Sequence, residues 1–176
     1  DLVFHAEIHG APFVLLKTEG KQPSENTLYE TAQFAASYSR AWKEGLGSID
    51  VYWVRPDQVS KSPPSGEYLS KGAFMIYGSR NYIRGVPLEL AIGAIKDKDQ
   101  IQIIGGPPQA VAKQTDAYVR IVPGNQSSGR LAGQIRRIIA RMLSERGCED
   151  AQKIPLEEIQ RFIPSGGGAI SKRRLG

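Results

Sequence analysis

Hydrophobic and polar positions change period several times along the chain, and each change marks an element. From Leu2 to His9 apolar and polar residues alternate, the period of a strand. Gly10-Ala11-Pro12 breaks that run, and Phe13 to Lys17 predicts a second short strand before the loop Glu19-Gly20-Lys21-Gln22-Pro23. Thr27 to Lys43 switches to helical spacing, with Leu28, Ala32, Ala35, Ser39 and Trp42 on one face. Thr27 and Glu30 stand in capping-box spacing at its start. The small residues Ala35, Ala36 and Ser37 permit close approach to a sheet, and Gly45 and Gly47 end the helix. Ile49 to Val54 is rich in β-branched and aromatic residues and predicts a strand.

Ala73 to Tyr77 and Asn81 to Ile83 are again strand-like. Leu88, Leu90, Ile92 and Ala94 alternate with other residues, Lys96-Asp97-Lys98-Asp99 turns, and Ile101 to Ile104 returns, which predicts a hairpin. Pro107-Pro108 opens a short helix to Lys113, Ala117 to Val122 is a strand, and Pro123-Gly124-Asn125 predicts a firm turn. Ser127 or Ser128 caps a helix to about Arg146, with Leu131, Ile135, Ile138, Ile139, Met142 and Leu143 on one broad face. Arg130, Arg137 and Arg141 form a narrow stripe a right angle or more away. Pro155 begins a last short helix with Leu156, Ile159 and Ile163 facing inward. Gly166-Gly167-Gly168 and Lys172-Arg173-Arg174 read as a mobile tail. The expected class is α+β (mixed α/β), a mixed sheet flanked by helices with a C-terminal helical segment.

Composition narrows the functions. The 176 residues suffice for one domain with a real core, and the net charge of +5 favours a polyanionic partner. A single cysteine, Cys148, allows neither an internal disulfide nor a CxxC metal site and fits a reducing, cytoplasmic location. No apolar run approaches the roughly 18 residues of a membrane span, so no membrane partner is expected. No signal peptide is visible, and a start at Asp1 without Met reads as a piece of a longer protein. The glycine-rich stretches lack the Gly-Lys-Ser/Thr of a nucleotide-binding loop, and no cofactor is expected.

The segment from Gln58 to Ile83 carries the most chemical information. Lys61, Lys71, Arg80 and, just beyond, Arg84 are interleaved with Tyr68, Phe74, Tyr77 and Tyr82. Pro63-Pro64 stiffens the entry, and Ser65-Gly66 lets the backbone turn. A rigid basic loop with interleaved aromatics suits a phosphate backbone and an unstacked base. The expected RNA-binding set is Lys61, Ser65, Gly66, Tyr68, Lys71, Arg80, Asn81 and Arg84, with His5, Glu7, His9 and Glu67 orienting it. The competing expectation is a solvated basic loop whose aromatics are core.

His5, Glu7 and His9 would share one face of a continuous strand and have the right chemistry to ligate Zn²⁺ or Fe²⁺. The blander expectation is that the two histidines hydrogen-bond neighbouring loops, with no metal bound. A Ser-Lys nucleophile from Ser60, Lys61 and Ser65 would need a buried, neutral lysine, which this basic loop does not offer. No catalytic residue is expected.

A set of linked motifs resembles the NFACT-R domain of the ribosome quality-control proteins, which include the eukaryotic nuclear export mediator factor and RqcH of bacteria and archaea. The residues are Phe4 to Ala11, Ala41-Trp42, Trp53-Val54, Val59-Ser60-Lys61, Pro64 to Leu69, Gly72 to Gly78 and Arg80-Asn81-Tyr82. Val122-Pro123-Gly124 and Pro164 to Gly168 resemble the archaeal branch. The resemblance implies a family core over residues 1–87, lacking strands that ordinarily precede Phe4, and a second segment over 88–176 that packs on it or stands as a subdomain. It also implies a non-catalytic RNA-binding module that meets the large ribosomal subunit and tRNA or ribosomal RNA while stalled nascent chains are handled. The alternative is a metal-dependent nucleic-acid-processing enzyme built on His5, Glu7 and His9. An adhesin, once suggested by the family's fibronectin-binding label, conflicts with one cysteine and no visible export signal.

Overall fold

The computed structural model describes residues 1–148 and 153–172. Strand β1 (Leu2–Ala6) lies between β2 (Val14–Leu16) and β3 (Ser48–Val54), and β6 (Asn81–Pro87) completes a sheet of order β2-β1-β3-β6. Strands β4 (Val59–Ser60) and β5 (Met75–Ile76) form a two-stranded ribbon at the base of the basic loop. A second sheet, of order β10-β9-β7-β8, is made by β7 (Leu90–Asp97), β8 (Gln100–Gly106), β9 (Tyr118–Gln126) and β10 (Gly168–Ile170). The class is α+β as expected, but every recorded pairing is antiparallel. The expected mixed sheet is thus replaced by two four-stranded antiparallel sheets and a ribbon. Hairpins and returning loops suffice for antiparallel neighbours, whereas a parallel pair needs a long crossover.

Helix α1 (Glu25–Ser37) packs on β1, β3 and β6. Its Ala32, Ala35 and Ala36 are buried in one cluster with Phe4, Ala6 and Val51, the close approach that small residues allow. The cap is Ser24, three positions before the Thr27 expected to cap the helix: its hydroxyl accepts from Thr27 N at 3.2 Å. Glu30 reaches Lys113 of the second half at 3.0 Å rather than closing a capping box. The predicted single helix to Lys43 is broken. Ser39 donates its hydroxyl to Ala36 O at 2.7 Å and accepts from Ala41 N, starting α2 (Arg40–Lys43) afresh.

Ser127 caps α4 (Ser128–Ser144), which follows the short α3 (Pro108–Ala112). Leu131, Ile135, Ile139 and Leu143 of α4 are buried with Ile121 of β9 and Ile159 of α5 (Leu156–Gln160). The same cluster includes Phe4 and Val51, so apolar packing is continuous from the first sheet to the second.

Two expectations about loops are corrected. Pro123-Gly124-Asn125 is no turn; it lies inside β9, as an outward bulge where Val122 pairs with Ala169 and Gln126 with Gly168. The segment Gly166-Gly167-Gly168 is no mobile tail either. Gly167 sits at φ +82°, and a Cβ there would collide with the Gln126 carbonyl. Its own carbonyl accepts from Trp42 Nε1 at 2.7 Å, while Tyr38 donates to Phe162 O at 2.7 Å. Lys172 is exposed; Arg173 and Arg174 lie outside the described residues.

Two glycine substitutions are expected to act in opposite directions. Gly167→Ala meets both strain and collision and should cost about 1–3 kcal/mol. Gly133→Ala, in the interior of α4 with open space around the new methyl, should gain about 1 kcal/mol. Thermal unfolding reads each kcal/mol as a shift of about 2–4 °C. Equal midpoints for the two variants would show that the glycine-rich strand does not need its glycines.

Candidate nucleic-acid interface

The first sheet has two faces because strand residues alternate. One faces α1. On the other, register brings three rings side by side: His5 opposes Tyr52, and Tyr52 opposes Tyr82. Their centroids are 5.6 Å and 5.7 Å apart. Phe13 lies 5.1 Å from His5, and Phe74, delivered by the basic loop, meets Phe13 edge-on at 5.2 Å. Phe74, Phe13, His5, Tyr52 and Tyr82 thus form one continuous row.

Cations sit on this row. Lys61 Nζ is 5.9 Å from the Phe74 ring, the Arg80 guanidinium 4.7 Å from Tyr52, and the Arg84 guanidinium 3.9 Å from Tyr82. Lys71 and Lys61 line one shallow concavity of about 290 Å³ with Phe74 and Leu69. A second, of about 280 Å³, is lined by His5, Glu7, His9, Tyr52 and Arg80. A larger concavity of about 600 Å³, beside β8 and Cys148, contains none of the residues selected from the sequence.

The cations differ in how free they are. Lys61 and Lys71 have no acidic partner among the described residues, and Arg80 lies 3.9 Å from Glu7. Arg84 is bound to Asp50 at 2.8 Å. Asp50 is itself the pivot of a β-bulge: Arg84 and Gly85 together oppose it, between the pairs Ile49–Val86 and Val51–Ile83. Gly85, at φ +62°, donates its N–H to the same carboxylate at 2.8 Å. The hydrogen bonds from Arg84 and then Gly85 hold the Asp50 carboxyl below its ordinary range.

The loop itself turns where expected. Glu67 N donates to Pro64 O at 3.0 Å around Gly66, at φ +85°. Ser65 is exposed, and Tyr68 is 90% exposed at the loop's tip, whereas Tyr52 beneath Arg80 is only 5% exposed. The Glu67 carboxylate has no hydrogen-bond or ionic partner among the described residues. Asn81 spends its amide N–H on Trp53 O at 3.2 Å.

The histidine-glutamate expectation changes. Strand β1 ends at Ala6 and the chain turns through Gly10 at φ +76°, so strand alternation does not carry from His5 to Glu7 and His9. His5 Nε2 donates to Ala11 O at 2.9 Å, as the blander expectation had it. Among the described residues no three His, Cys, Asp or Glu side chains stand together as a ligand set. These residues do not fit a metal site. Burial lowers the His5 pKa below 6.5, opposed by the bond to Ala11 and the charge of Glu7.

Tyr52, Phe13, Asp50 and Gln58 have parts in this face that the sequence did not assign. Gln58 is 8% exposed. Its Oε1 accepts from Arg55 N at 2.9 Å, and its Nε2 donates to Tyr77 O and Ser79 O at 2.8 and 2.9 Å. That carboxamide closes the base of the basic loop. Strand alternation alone puts Asp50, Tyr52 and Val54 on one face, but cross-strand register cannot be read from one sequence.

Residues 1–78 match one family model, the NFACT protein RNA binding domain, and this part of the chain belongs to that family. It is 43% identical over 173 residues to the archaeal Rqc2 homolog aRqcH of Methanocaldococcus jannaschii, covering 98% of this chain and 24% of that protein. It is 40% identical over 96 residues to the ribosome quality control complex subunit NEMF homolog of Drosophila melanogaster, covering 54% of this chain and 10% of that protein. The human NEMF subunit is 39% identical over 84 residues, 47% of this chain and 8% of that protein. The similarity to the archaeal relative extends over both sheets. Among the described residues no helix is long and apolar enough to cross a membrane.

Two outcomes test this geometry. With a folded pKa below 6.5, His5 binds fewer protons folded than unfolded, so stability rises with pH through that window and falls as pH drops below 6.5. Urea midpoints of the wild type should decline from pH 7.5 to 5.5, and His5→Gln should flatten part of that decline. An unchanged slope would mean the imidazole titrates normally. Gln58→Ala removes three hydrogen bonds to the backbone of Arg55, Tyr77 and Ser79 and should cost about 1 kcal/mol or somewhat more, with proteolytic cleavage appearing first in residues 61–74.

Proposed function

We propose that the aromatic and cationic face of the first sheet binds RNA and performs no bond chemistry. The observation that carries this reading is the five-ring row, three of its rings in strand register, with Lys61, Arg80 and Arg84 placed over it. The description of the matching family model supports it. Phosphates would meet Lys61, Lys71 and Arg80 first, with Arg84 weaker because Asp50 already holds it. The turn at Ser65 and Gly66 lets a backbone approach closely, and Asn81 retains its amide oxygen as an acceptor. Tyr68 and the exposed part of Tyr82 offer stacking surfaces for unpaired bases. His5, Glu7 and His9 shape the concavity beside Arg80, and Glu67 shapes the loop tip.

The whole protein is proposed to be a cytoplasmic ribosome quality-control factor; the names of the Drosophila and human relatives assign those proteins to the ribosome quality control complex. In this reading it engages the large ribosomal subunit and tRNA or ribosomal RNA while a stalled nascent chain is handled. Bond formation belongs to the ribosome, so binding surfaces suffice.

Lys61→Glu with Arg80→Glu should weaken tRNA binding at least about tenfold near physiological salt and lower the slope of log affinity against log salt by about 2. The thermal midpoint should stay within a few degrees, because both side chains are exposed. Fluorescence anisotropy across a salt series measures all of this. Full affinity in the double variant would remove the interface from this face.

A further inference from the structure

Helix α4 carries a second cationic surface, unlike the first. Its 17 residues include Arg130, Arg136, Arg137 and Arg141 and no Asp, Glu or Lys. Arg136 turns inward, donating to Ile154 O at 3.1 Å. Arg130, Arg137 and Arg141 are exposed and have neither a hydrogen bond nor an ion pair from their side chains among the described residues. At 100° per residue the three fall within about 40° of one another and extend over about 16 Å of helix. They lie opposite Leu131, Ile135, Ile139 and Leu143, which the core buries. Arg137 and Arg141 also line a shallow concavity of about 560 Å³ with Ala140, Ser144 and Glu145.

We infer that this stripe grips the phosphate backbone of base-paired RNA, a second contact separate from the ring row. The inference rests on the RNA-binding reading of the chain. Three observations favour a duplex backbone over other polyanions. The apolar face of α4 is buried in the core, so nothing remains to insert into a lipid surface. No aromatic or large apolar residue of α4 lies within the stripe to anchor a protein partner or stack on an unpaired base. Arginine's planar fork pairs with phosphate through two hydrogen bonds, and the stripe's length spans about five phosphates of one strand at duplex charge density. Duplex RNA is recognised chiefly through backbone and shape, which such a stripe can supply.

The test uses the full 176-residue chain with a 20-base-pair RNA duplex and an unstructured single strand of equal charge. Arg130→Gln, Arg137→Gln and Arg141→Gln together should weaken duplex binding at least about tenfold and reduce its salt slope by about 3, leaving single-strand binding within twofold. Lys61→Glu with Arg80→Glu should show the converse preference. The corresponding triple lysine variant keeps the charge and should retain most of the salt slope while losing affinity, which separates charge from folding. The inference is overturned if the glutamine variant binds duplex like the wild type, or loses both RNAs equally. It is also overturned if the stripe is needed for phosphatidylglycerol vesicles and not for duplex. A wild type that binds neither RNA sinks the proposed function first, and this inference with it.

Discussion

Gln58 closes the base of the excursion between β4 and β6 with hydrogen bonds that use both halves of its carboxamide. Its backbone carbonyl also accepts from Tyr77 N at 2.8 Å. Hydrogen bonds of this kind each contribute about 1 kcal/mol net. The clamp therefore adds to the short ribbon β4–β5 in holding the loop's return path. Next to it the chain passes through Gly78 at φ +76°, where an added Cβ would come within 3.2 Å of the Gln58 amide. The path fixed there delivers Phe74 to Phe13 and so completes the ring row at the loop end.

An acid works at the other end of the row. Asp50 draws its stabilisation from Arg84 and from the Gly85 N–H, and in doing so fixes a bulge that returns Val86 to the core. The arrangement aligns Arg84 over Tyr82 while neutralising much of its charge. Exposed pairs of this sort add little stability by themselves. Their consequence here is positional: a graded row in which the loop lysines have no acidic partner among the described residues, Arg80 is loosely paired and Arg84 is held.

Periodicity made much of this architecture legible. The strand at Ile49 to Val54, the hairpin after Leu88, the α4 helix with its buried and arginine faces, and the basic loop all follow from local pattern. What escaped depends on side-chain hydrogen bonds to the backbone and on contacts distant in sequence. Ser39 looks like another helix-face residue, yet its hydroxyl satisfies backbone groups that end one helix and begin another. Pro123-Gly124-Asn125 has turn chemistry, but pairing of β9 with β10 absorbs it as a bulge. The triple glycine has the composition of a linker, and tight packing against Gln126 gives it a different reason to be glycine. At the site, the basic residues were visible as types, whereas the alignment of His5, Tyr52 and Tyr82 comes from register alone.

The two cationic surfaces are joined through the α1–α2 segment. Helix α1 packs against the strands that carry the ring row. Tyr38, just beyond it, donates to Phe162 O, and Trp42 of α2 donates to Gly167 O at the start of the strand beside α4. Both donors are anchored in largely apolar surroundings; burial pushes the Tyr38 hydroxyl's pKa up to about 12, so it remains a donor throughout the physiological range. The continuous core between the sheets fixes how the two surfaces stand relative to each other, because protein interiors are close-packed. An RNA spanning paired and unpaired regions would then meet two surfaces whose separation the core already sets, without the entropic cost of ordering a linker between them.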